Sequence, residues 1–278
     1  MAIAHLSLAA LALNTWGAPQ KKKKVRIGAC DWSLNRACNP EVFDFAKQLG
    51  LDGVQLSYNS RNDPTYLARP EIQQAMLAAS RRTGVKIGSI GIAEMNNVPL
   101  KSDLRPVEWI SKSIEAAKAL GVKVVLLAFF SKGDLRGDEA GKKVVIEKLK
   151  ELTPKAEKEG VILAIESYLS AQEHLDIIEA VGSPALQVYY DPRNAADAGH
   201  DPYTEIPMLG KRNLICEIHL KDNDKLLGQG SLDWPRIQKL LREVKFKGWA
   251  HIEWSVPKGT KMEDCYPQNV KYARSVFG

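Results

Sequence analysis

The stretch VILAIES, residues 161–167, decides the fold class of this sequence. It opens with five apolar residues in a row, three of them β-branched, and lacks the alternation typical of a half-exposed strand. Such runs are typical of strands buried on both faces, as in a parallel sheet that is covered by helices. The run ends at Glu166, so a carboxylate directly follows a strand that is predicted to be buried.

Seven further runs of this kind occur from residue 25 onward, and longer segments with helical spacing lie between them. The runs are VRIGAC from Val25, GVQLS from Gly53, KIGSIGI from Lys86, VKVVLLAFF from Val122, LQVYYD from Leu186, ICEIHL from Ile215 and WAHIEW from Trp249. The helix-like segments are PEVFDFAKQLG, PEIQQAMLAASRRTG, PVEWISKSIEAAKALG, GKKVVIEKLKELTPKAEKEG and DWPRIQKLLREVKFKG, and several end in glycine, a common helix stop. Eight strand–helix units predict an α/β protein with a single (β/α)8 TIM barrel over residues 25–278.

An open, doubly wound sheet is the main alternative architecture for this pattern. A dinucleotide-binding sheet of that type needs a glycine-rich turn after its first strand, whereas the first strand here is followed by DWSLNRACN. The sequence also contains no P-loop, no GxSxG and no HExxH motif, and no linker or second-domain boundary interrupts the repeat. These absences favour the barrel.

The composition is that of an ordinary globular chain of 278 residues, with 45% hydrophobic and 26% charged residues. The net charge is +6, but four positive charges lie in the run KKKK at residues 21–24, and the rest of the chain carries only +2. A nucleic-acid-binding face needs basic residues spread along a surface, so no nucleic-acid partner is expected. The four cysteines form neither a CxxC motif nor zinc-finger spacing, and we interpret them as buried or incidental thiols.

Residues 1–24 differ from the rest of the chain and are interpreted as a leader. The apolar segment AIAHLSLAALAL, residues 2–13, is too short to span a bilayer, so no membrane-spanning segment is predicted. Its length suits the apolar part of a signal peptide, although no Lys or Arg precedes it. Export to the periplasm or the medium is therefore expected, and the alternative is a disordered or helical extension on a cytoplasmic protein.

Polar side chains stand at the carboxyl ends of the last four predicted strands, on the face where a barrel assembles its active site. Carboxylates that lie close together without partners repel one another, and a divalent cation relieves that repulsion. Hard oxygen ligands together with one imidazole suit Mn²⁺ best, with Mg²⁺, Co²⁺ or Zn²⁺ as alternatives. The sequence therefore predicts one divalent metal ion held by Glu166, Asp191, His219 and Glu253.

Four other residues at strand ends are candidates for binding a substrate: Trp32, Glu94, Asn194 and Lys221. Lys221 could hold an anionic or hydroxyl group of the substrate, but an ion pair with Asp191 or Asp222 explains this lysine equally well. Aromatic residues near strand ends could form an apolar wall for a sugar ring, although plain packing explains each of them singly. They are Trp32, Tyr58, Phe129, Phe130 and Trp254.

Several segments of the second half resemble the xylose isomerase-like TIM-barrel superfamily, in particular its sugar phosphate isomerase/epimerase group. They are AIESY, VYYDPRNA, IHLKDND, LGQGSLDWPRI and GWAHIEW, and with GLDGVQLS and GVKVVLLA the resemblance covers nearly the whole chain after Val25. The resemblance implies a metal site at the four positions already named, with Glu166 and Glu253 also serving as catalytic acid and base. Some members have a substrate-binding histidine where this chain has Asn194.

The resemblance implies a metal-dependent sugar isomerase or epimerase that transfers a proton next to the carbonyl of a ketose or a related polyol-derived keto compound. A lyase or dehydratase acting on a keto-sugar or inosose would use the same site, and a non-catalytic carbohydrate-binding barrel is a further alternative. A DNA-repair endonuclease of this superfamily would need a histidine-rich three-zinc site, whereas this chain has five histidines in all. The expected partner is a small carbohydrate, and a homo-oligomer is compatible with such a barrel.

Overall fold

A closed barrel of eight parallel strands forms the centre of the structure, a computed structural model that describes residues 24–278. Each strand pairs with the next along the chain, and the last strand pairs with the first. The strands are β1 (Arg26–Cys30), β2 (Gly53–Ser57), β3 (Lys86–Ile92), β4 (Val124–Phe129), β5 (Ile162–Ser167), β6 (Leu186–Tyr190), β7 (Ile215–Leu220) and β8 (Trp249–Ile252). The predicted (β/α)8 TIM barrel is confirmed, while the predicted leader, except for Lys24, lies outside the described residues.

Helices connect the strands and pack around the barrel. They are α1 (Val42–Gln48), α2 (Pro70–Thr83), α3 (Arg105–Leu120), α4 (Glu139–Glu159), α5 (Ala171–Val181), α6 (Pro192–Asp197), α7 (Pro202–Gly210), α8 (Trp234–Glu243) and α9 (Met262–Phe277). The five predicted helices are confirmed as α1 to α4 and α8, but α5, α6, α7 and α9 are missing from the prediction. Two of these contain an internal proline, Pro207 or Pro267, and α6 is only six residues long, which weakens their sequence signals. Within residues 24–278, no helix is both long and apolar enough to cross a membrane.

Glycines end three of the long helices, as the sequence predicts. Gly84, Gly121 and Gly160 follow α2, α3 and α4 with φ angles of 83°, 70° and 67°. Residues with a side chain rarely adopt this left-handed conformation, which reverses the chain and leads it into the next strand. All eight strands are parallel, so their carboxyl ends lie at one face of the barrel.

Apolar side chains fill the layer between strands and helices, and a smaller group lines the barrel interior. Val124, Leu126, Ala128, Ala164 and Tyr189 form this separate inner cluster. Polar residues also point inward, because alternate residues of a barrel strand face the axis. Two of them are histidines that lie side by side across β7 and β8, His219 and His251.

Candidate active site

The four predicted ligand residues meet at the carboxyl ends of β5 to β8. Glu166 and His219 are within β5 and β7, whereas Asp191 and Glu253 directly follow β6 and β8. One ligand atom of each residue lies within 4.8 Å of the corresponding atoms of the other three, and all four side chains are buried. We call these four residues the ligand cluster. Parallel strands in a closed barrel bring consecutive strand ends together, so the cluster follows from the topology.

Asp191 divides its two carboxylate oxygens between the backbone and the ligand cluster. As the N-cap of α6 it accepts hydrogen bonds on Oδ1 from the backbone N–H groups of Arg193 and Asn194, at 2.7 and 3.1 Å. Its Oδ2 is buried and forms no hydrogen bond, although Lys221 Nζ lies 3.1 Å away. The charge of Lys221 partly compensates this buried oxygen, and its free lone pair leaves it able to bind a metal ion as well.

His219 is held from both sides of its ring. Its Nδ1 lies 2.9 Å from Glu166 Oε1 and 3.7 Å from Glu253 Oε2, while its Nε2 lies 3.0 Å from Gln55 Oε1. Burial by itself lowers the pKa of His219, but the negative charges of the two glutamates outweigh it and raise the pKa to about 9. In this arrangement the imidazolium donates a hydrogen bond from each nitrogen.

Opposing influences act on the two glutamates. Burial raises the pKa of Glu166, and the charge of His219 only partly offsets it. Burial also acts on Glu253, but there the positive charges of Lys221 and His219 prevail and lower the pKa to about 2. The two carboxyl groups, close as they are, therefore have different affinities for a proton.

Lys221 forms the ion pairs that the sequence left as an alternative to substrate binding. Its Nζ lies 3.1 Å from Asp191 Oδ2 and 3.0 Å from Glu253 Oε2, with the side chain 11% exposed. The second predicted partner, Asp222, instead accepts hydrogen bonds from Gly228 N at 2.7 Å and Trp234 Nε1 at 2.9 Å. Asp222 therefore braces the loop before α8, and Lys221 balances charge inside the ligand cluster.

A cavity of about 270 Å³ opens beside the ligand cluster. Three predicted substrate-binding residues, Trp32, Asn194 and Lys221, line it together with the two glutamates. Trp32 Nε1 donates a hydrogen bond to Glu253 Oε1 at 3.0 Å, and Asn194 Nδ2 donates one to Glu166 Oε1 at 3.2 Å. Each glutamate is thus oriented by a neighbour that also faces the cavity.

The fourth predicted residue, Glu94, does not line this cavity. It lies in a short 3₁₀ turn, Ala93–Asn96, and accepts a hydrogen bond from Asn97 Nδ2 at 3.3 Å. The turn directs Asn96 into the cavity wall instead, where its Oδ1 accepts a hydrogen bond from the backbone N–H of Phe130 at 2.9 Å. A substrate contact by Glu94 stays a prediction.

The aromatic wall that the sequence suggested is found in part. Trp32, Phe130 and Trp254 line the cavity, whereas Tyr58 and Phe129 are buried in the core. Tyr168, which is not among the predicted aromatic residues, completes the wall and packs edge-to-face on Phe130 with ring centroids 4.8 Å apart. Its position directly after β5 was the available signal, because strand ends supply the residues of this face.

Gln55 and Cys30 are further neighbours of His219 that sequence reasoning missed. Gln55 Oε1 lies 3.0 Å from His219 Nε2, and Cys30 Sγ donates a hydrogen bond to the same oxygen at 3.1 Å. Burial raises the pKa of the Cys30 thiol well above its ordinary value, so it stays protonated. A glutamine in the middle of the buried strand GVQLS was the available signal, since buried polar groups need partners.

A larger cavity, of about 700 Å³, lies at the opposite end of the barrel. Its rim carries exposed cations such as Lys123 and Lys247, and its one buried carboxylate is Glu217. Glu217 belongs to a group that we call the lower cluster, with Tyr189 and His251: His251 Nδ1 lies 2.8 Å from Tyr189 Oη and 3.5 Å from Glu217 Oε2. A single carboxylate offers neither a ligand set nor an acid/base pair, so we place the candidate site at the smaller cavity.

Comparisons with known proteins agree with this architecture. A family model described as xylose isomerase-like TIM barrel matches residues 43–276. The putative L-ribulose-5-phosphate 3-epimerase SgbU of Escherichia coli K12 is 28% identical over 242 residues, which are 77% of this chain and 82% of that protein.

Solved structures share the fold at lower identity. The 3-keto-D-glucoside 4-epimerase YcjR from E. coli superposes with a TM-score of 0.75 at 17% identity and covers 91% of this chain and 100% of its own. A xylose isomerase-like TIM barrel protein from Mycobacterium smegmatis, in complex with magnesium, gives 0.73 at 16% identity, with 91% and 96% covered. Since the family model spans most of the sequence, the chain belongs to the xylose isomerase-like TIM barrel family.

Proposed function

We propose that the protein is a metal-dependent sugar epimerase or isomerase, which moves a proton on a carbon next to a carbonyl group. The observation that carries the proposal is the ligand cluster, three carboxylates and one imidazole whose ligand atoms lie within 4.8 Å of one another beside a cavity. Family membership supports it, because SgbU and YcjR are both named as epimerases. The substrate belongs to the ketoses and related keto compounds.

The residues fit one divalent cation. Asp191 Oδ2 lacks a hydrogen bond, and the oxygens of Glu166 and Glu253 lie close to it. His219 would offer Nδ1 to the ion in place of its proton, while Nε2–H remains with Gln55. Hard oxygens favour Mn²⁺ or Mg²⁺ over ions that prefer thiolates, with Co²⁺ and Zn²⁺ as alternatives. A bound ion would supply several kcal/mol of stabilisation to negative charge that develops on the carbonyl oxygen.

Glu166 and Glu253 are the proposed acid and base. They reach the cavity from β5 and from the end of β8, and Asn194 and Trp32 hold them in place. One glutamate removes the proton from the carbon next to the carbonyl, and the other returns a proton from the opposite face, which inverts the carbon. Return of the proton to the neighbouring carbon would give aldose–ketose isomerisation instead. Each positioned acid or base contributes roughly 10²–10⁴-fold to the rate.

The lyase predicted as an alternative would use the same abstraction, but neither SgbU nor YcjR is named as a lyase, so it gains no support here. Two oriented glutamates beside a set of metal-ligand atoms favour proton transfer over the non-catalytic carbohydrate-binding barrel. Export through the leader and self-association remain predictions from the sequence.

The test is exchange of a carbon-bound proton of a ketose with deuterium from solvent, followed by NMR. Protein loaded with Mn²⁺ should catalyse exchange at the carbon next to the carbonyl, whereas protein stripped with EDTA should lose this activity and regain it with added metal. A panel of free and phosphorylated ketoses is needed, because exchange reports proton abstraction whatever the product. Absence of exchange with every compound, from protein shown to carry metal, would contradict the proposal.

A further inference from the structure

The chain directly after β8 adopts a strained turn at the mouth of the cavity. Trp254 and Ser255 have φ angles of 53° and 61°, in the left-handed region that side chains disfavour. Two successive residues of this kind are costly, and such strain persists where the surrounding structure enforces it, often at functional sites. The turn begins directly after the proposed catalytic residue Glu253, so it displays Trp254 beside the reacting groups.

Hydrogen bonds from three other parts of the chain enforce this turn. The backbone N–H of Trp254 donates to Ser33 Oγ at 3.1 Å, and Ser255 Oγ accepts from the backbone N–H of Asp222 at 2.8 Å. The carbonyl oxygen of Ser255 accepts from Asn269 Nδ2, also at 2.8 Å. Ser255 and Asn269 are fully buried, so the anchor of the turn is rigid while its indole faces outward.

Trp254 is left 46% exposed, which is unusual for so large an apolar side chain. The other large apolar residues exposed within residues 24–278 are Leu104, Val144 and Met208, and none of them lines the cavity. Trp254 is one of four aromatic residues that line the cavity, with Trp32, Phe130 and Tyr168. Sugar rings have apolar faces of C–H groups, and flat aromatic rings bury such faces without demanding charge.

The cavity offers no free cation to a charged substrate. Lys221 is the one cationic residue among its described lining residues, and its ammonium group already contacts Asp191 and Glu253. Arg136 stacks on Tyr168, 4.6 Å from the ring centroid, but it does not line the cavity, and hydrogen bonds join its guanidinium to Asp134. A phosphate group carries a charge of about −1.5 to −2 at neutral pH and would enter a space that already holds carboxylates. Its burial there is unfavourable, because the three carboxylates of the ligand cluster would already balance the charge of the proposed metal ion and leave no cation for the phosphate.

We infer that this cavity takes an uncharged sugar, a free ketose or a keto-glycoside, whose apolar ring face stacks on Trp254, and that it disfavours sugar phosphates. The inference rests on the proposed function, whose site it specifies. SgbU is named for a phosphorylated pentulose and YcjR for a keto-glucoside, and the inference favours a substrate of the second, uncharged kind.

The experiment compares matched substrates in metal-loaded protein. D-Fructose and D-tagatose are tested against their 6-phosphates, and methyl 3-keto-glucoside is added as a glycoside, with deuterium exchange giving kcat and KM. We expect kcat/KM for the uncharged compounds to exceed that for the phosphates by about tenfold or more. A preference for the phosphates would overturn the inference while leaving the proposed function intact.

Variants of Trp254 test the stacking contact. Trp254→Ala should raise KM for the uncharged sugar by about tenfold while kcat changes by less than about threefold, since the contact is made equally before and during reaction. Trp254→Phe keeps a flat ring and should retain most of the affinity, and Leu104→Ala, which removes an exposed apolar residue elsewhere, should change nothing. Thermal unfolding of each variant confirms that it is folded. Equal KM values for Trp254→Ala and Leu104→Ala would refute the stacking contact.

Equilibrium binding separates this inference from the proposed function. Calorimetric titration of wild type and Trp254→Ala with D-fructose and with D-fructose 6-phosphate measures affinity without turnover. Tighter binding of D-fructose by wild type, lost in Trp254→Ala, supports the inference even where no exchange is seen, in which case only the proposed chemistry fails. Tighter binding of the phosphate, or binding unaffected by the variant, contradicts it.

Discussion

Two buried histidines lie side by side on β7 and β8, and their surroundings make them opposites. His219 and His251 are register partners and both are fully buried. The pKa of His219 is raised to about 9, because the charges of Glu166 and Glu253 outweigh burial, whereas burial lowers the pKa of His251 well below its ordinary value. A buried histidine is therefore no evidence of a site by itself.

The same contrast holds for the glutamates beside these histidines. Glu217 of the lower cluster precedes His219 by two positions on β7 and so lies one layer nearer the amino-terminal end of the barrel. Burial raises its pKa to about 8, and the cluster around it contains no second carboxylate. The ligand cluster has three carboxylates and the imidazolium of His219, and Lys221 and a cavity lie beside it. The candidate site therefore differs from the lower cluster in its converging charges and its open cavity, and not in burial.

The largest expected effect is the loss of catalysis when either proposed catalytic glutamate becomes an amide. Glu166→Gln or Glu253→Gln keeps the shape but removes the base, so deuterium exchange into a ketose should fall by roughly 10²–10⁴-fold. Glu217→Gln, the matched change in the lower cluster, should leave the exchange rate within about twofold. Equal losses in all three variants would show that the two clusters do not differ in function.

The second largest expected effect is the loss of stability when the metal ion is removed. A bound ion that is absent from the unfolded chain stabilises the fold by about 2.7 kcal/mol at a free concentration of 100 times its Kd. Protein purified without chelator should contain about one divalent ion per chain, and EDTA should lower its melting temperature. Asp191→Asn should abolish the shift caused by Mn²⁺, while Asp222→Asn should keep it. An unchanged melting temperature after EDTA would contradict a metal in the ligand cluster.

The lower cluster should instead make the free energy of unfolding depend on pH. The pKa of Glu217 is raised from its ordinary value of 4.5 to about 8 by burial, so the native state keeps a proton that the unfolded state loses. Between these values the free energy of unfolding contributed by this group falls as pH rises, by up to about 1.4 kcal/mol per pH unit. Glu217→Gln removes this dependence. Between pH 6 and 7.5 the free energy of unfolding of wild type should therefore fall by about 2 kcal/mol relative to that of the variant. Urea unfolding of both proteins at both pH values measures this difference. An equal change in the free energy of unfolding with pH in wild type and variant would contradict a protonated Glu217 in the native state.

The sequence specified the barrel and the ligand cluster because both depend on local pattern. Continuous apolar runs identify parallel strands, and the residue that ends each run must reach the common face, as Glu166 and Glu253 do. What it left open depends on contacts between distant segments. The turn after β7 decides that Lys221 pairs with Asp191 and not with Asp222. The turn after β3 decides that Asn96, and not Glu94, lines the cavity. Gln55 lies 164 positions before His219, so no sequence spacing connects them.

Gln55 offers the smallest and most specific test of how the two histidines differ. Its Oε1 lies 3.0 Å from His219 Nε2 and fixes the ring so that Nδ1 faces Glu166 and Glu253, whereas His251 Nε2 has no hydrogen-bond partner. Groups that orient a ligating histidine typically contribute about 10–100-fold to metal affinity. Gln55→Leu should therefore weaken Mn²⁺ binding by about tenfold in calorimetric titration.

Two further variants separate orientation from general disturbance of the barrel. Gln55→Glu keeps an acceptor for His219 Nε2–H and should restore Mn²⁺ affinity, because a carboxylate oxygen can replace the amide oxygen. Gln187→Leu changes a half-buried glutamine of β6 that lines the larger cavity, and it should leave the affinity unchanged. If Gln55→Leu and Gln187→Leu bind Mn²⁺ equally well, then His219 needs no partner on Nε2, and the glutamates alone account for its difference from His251.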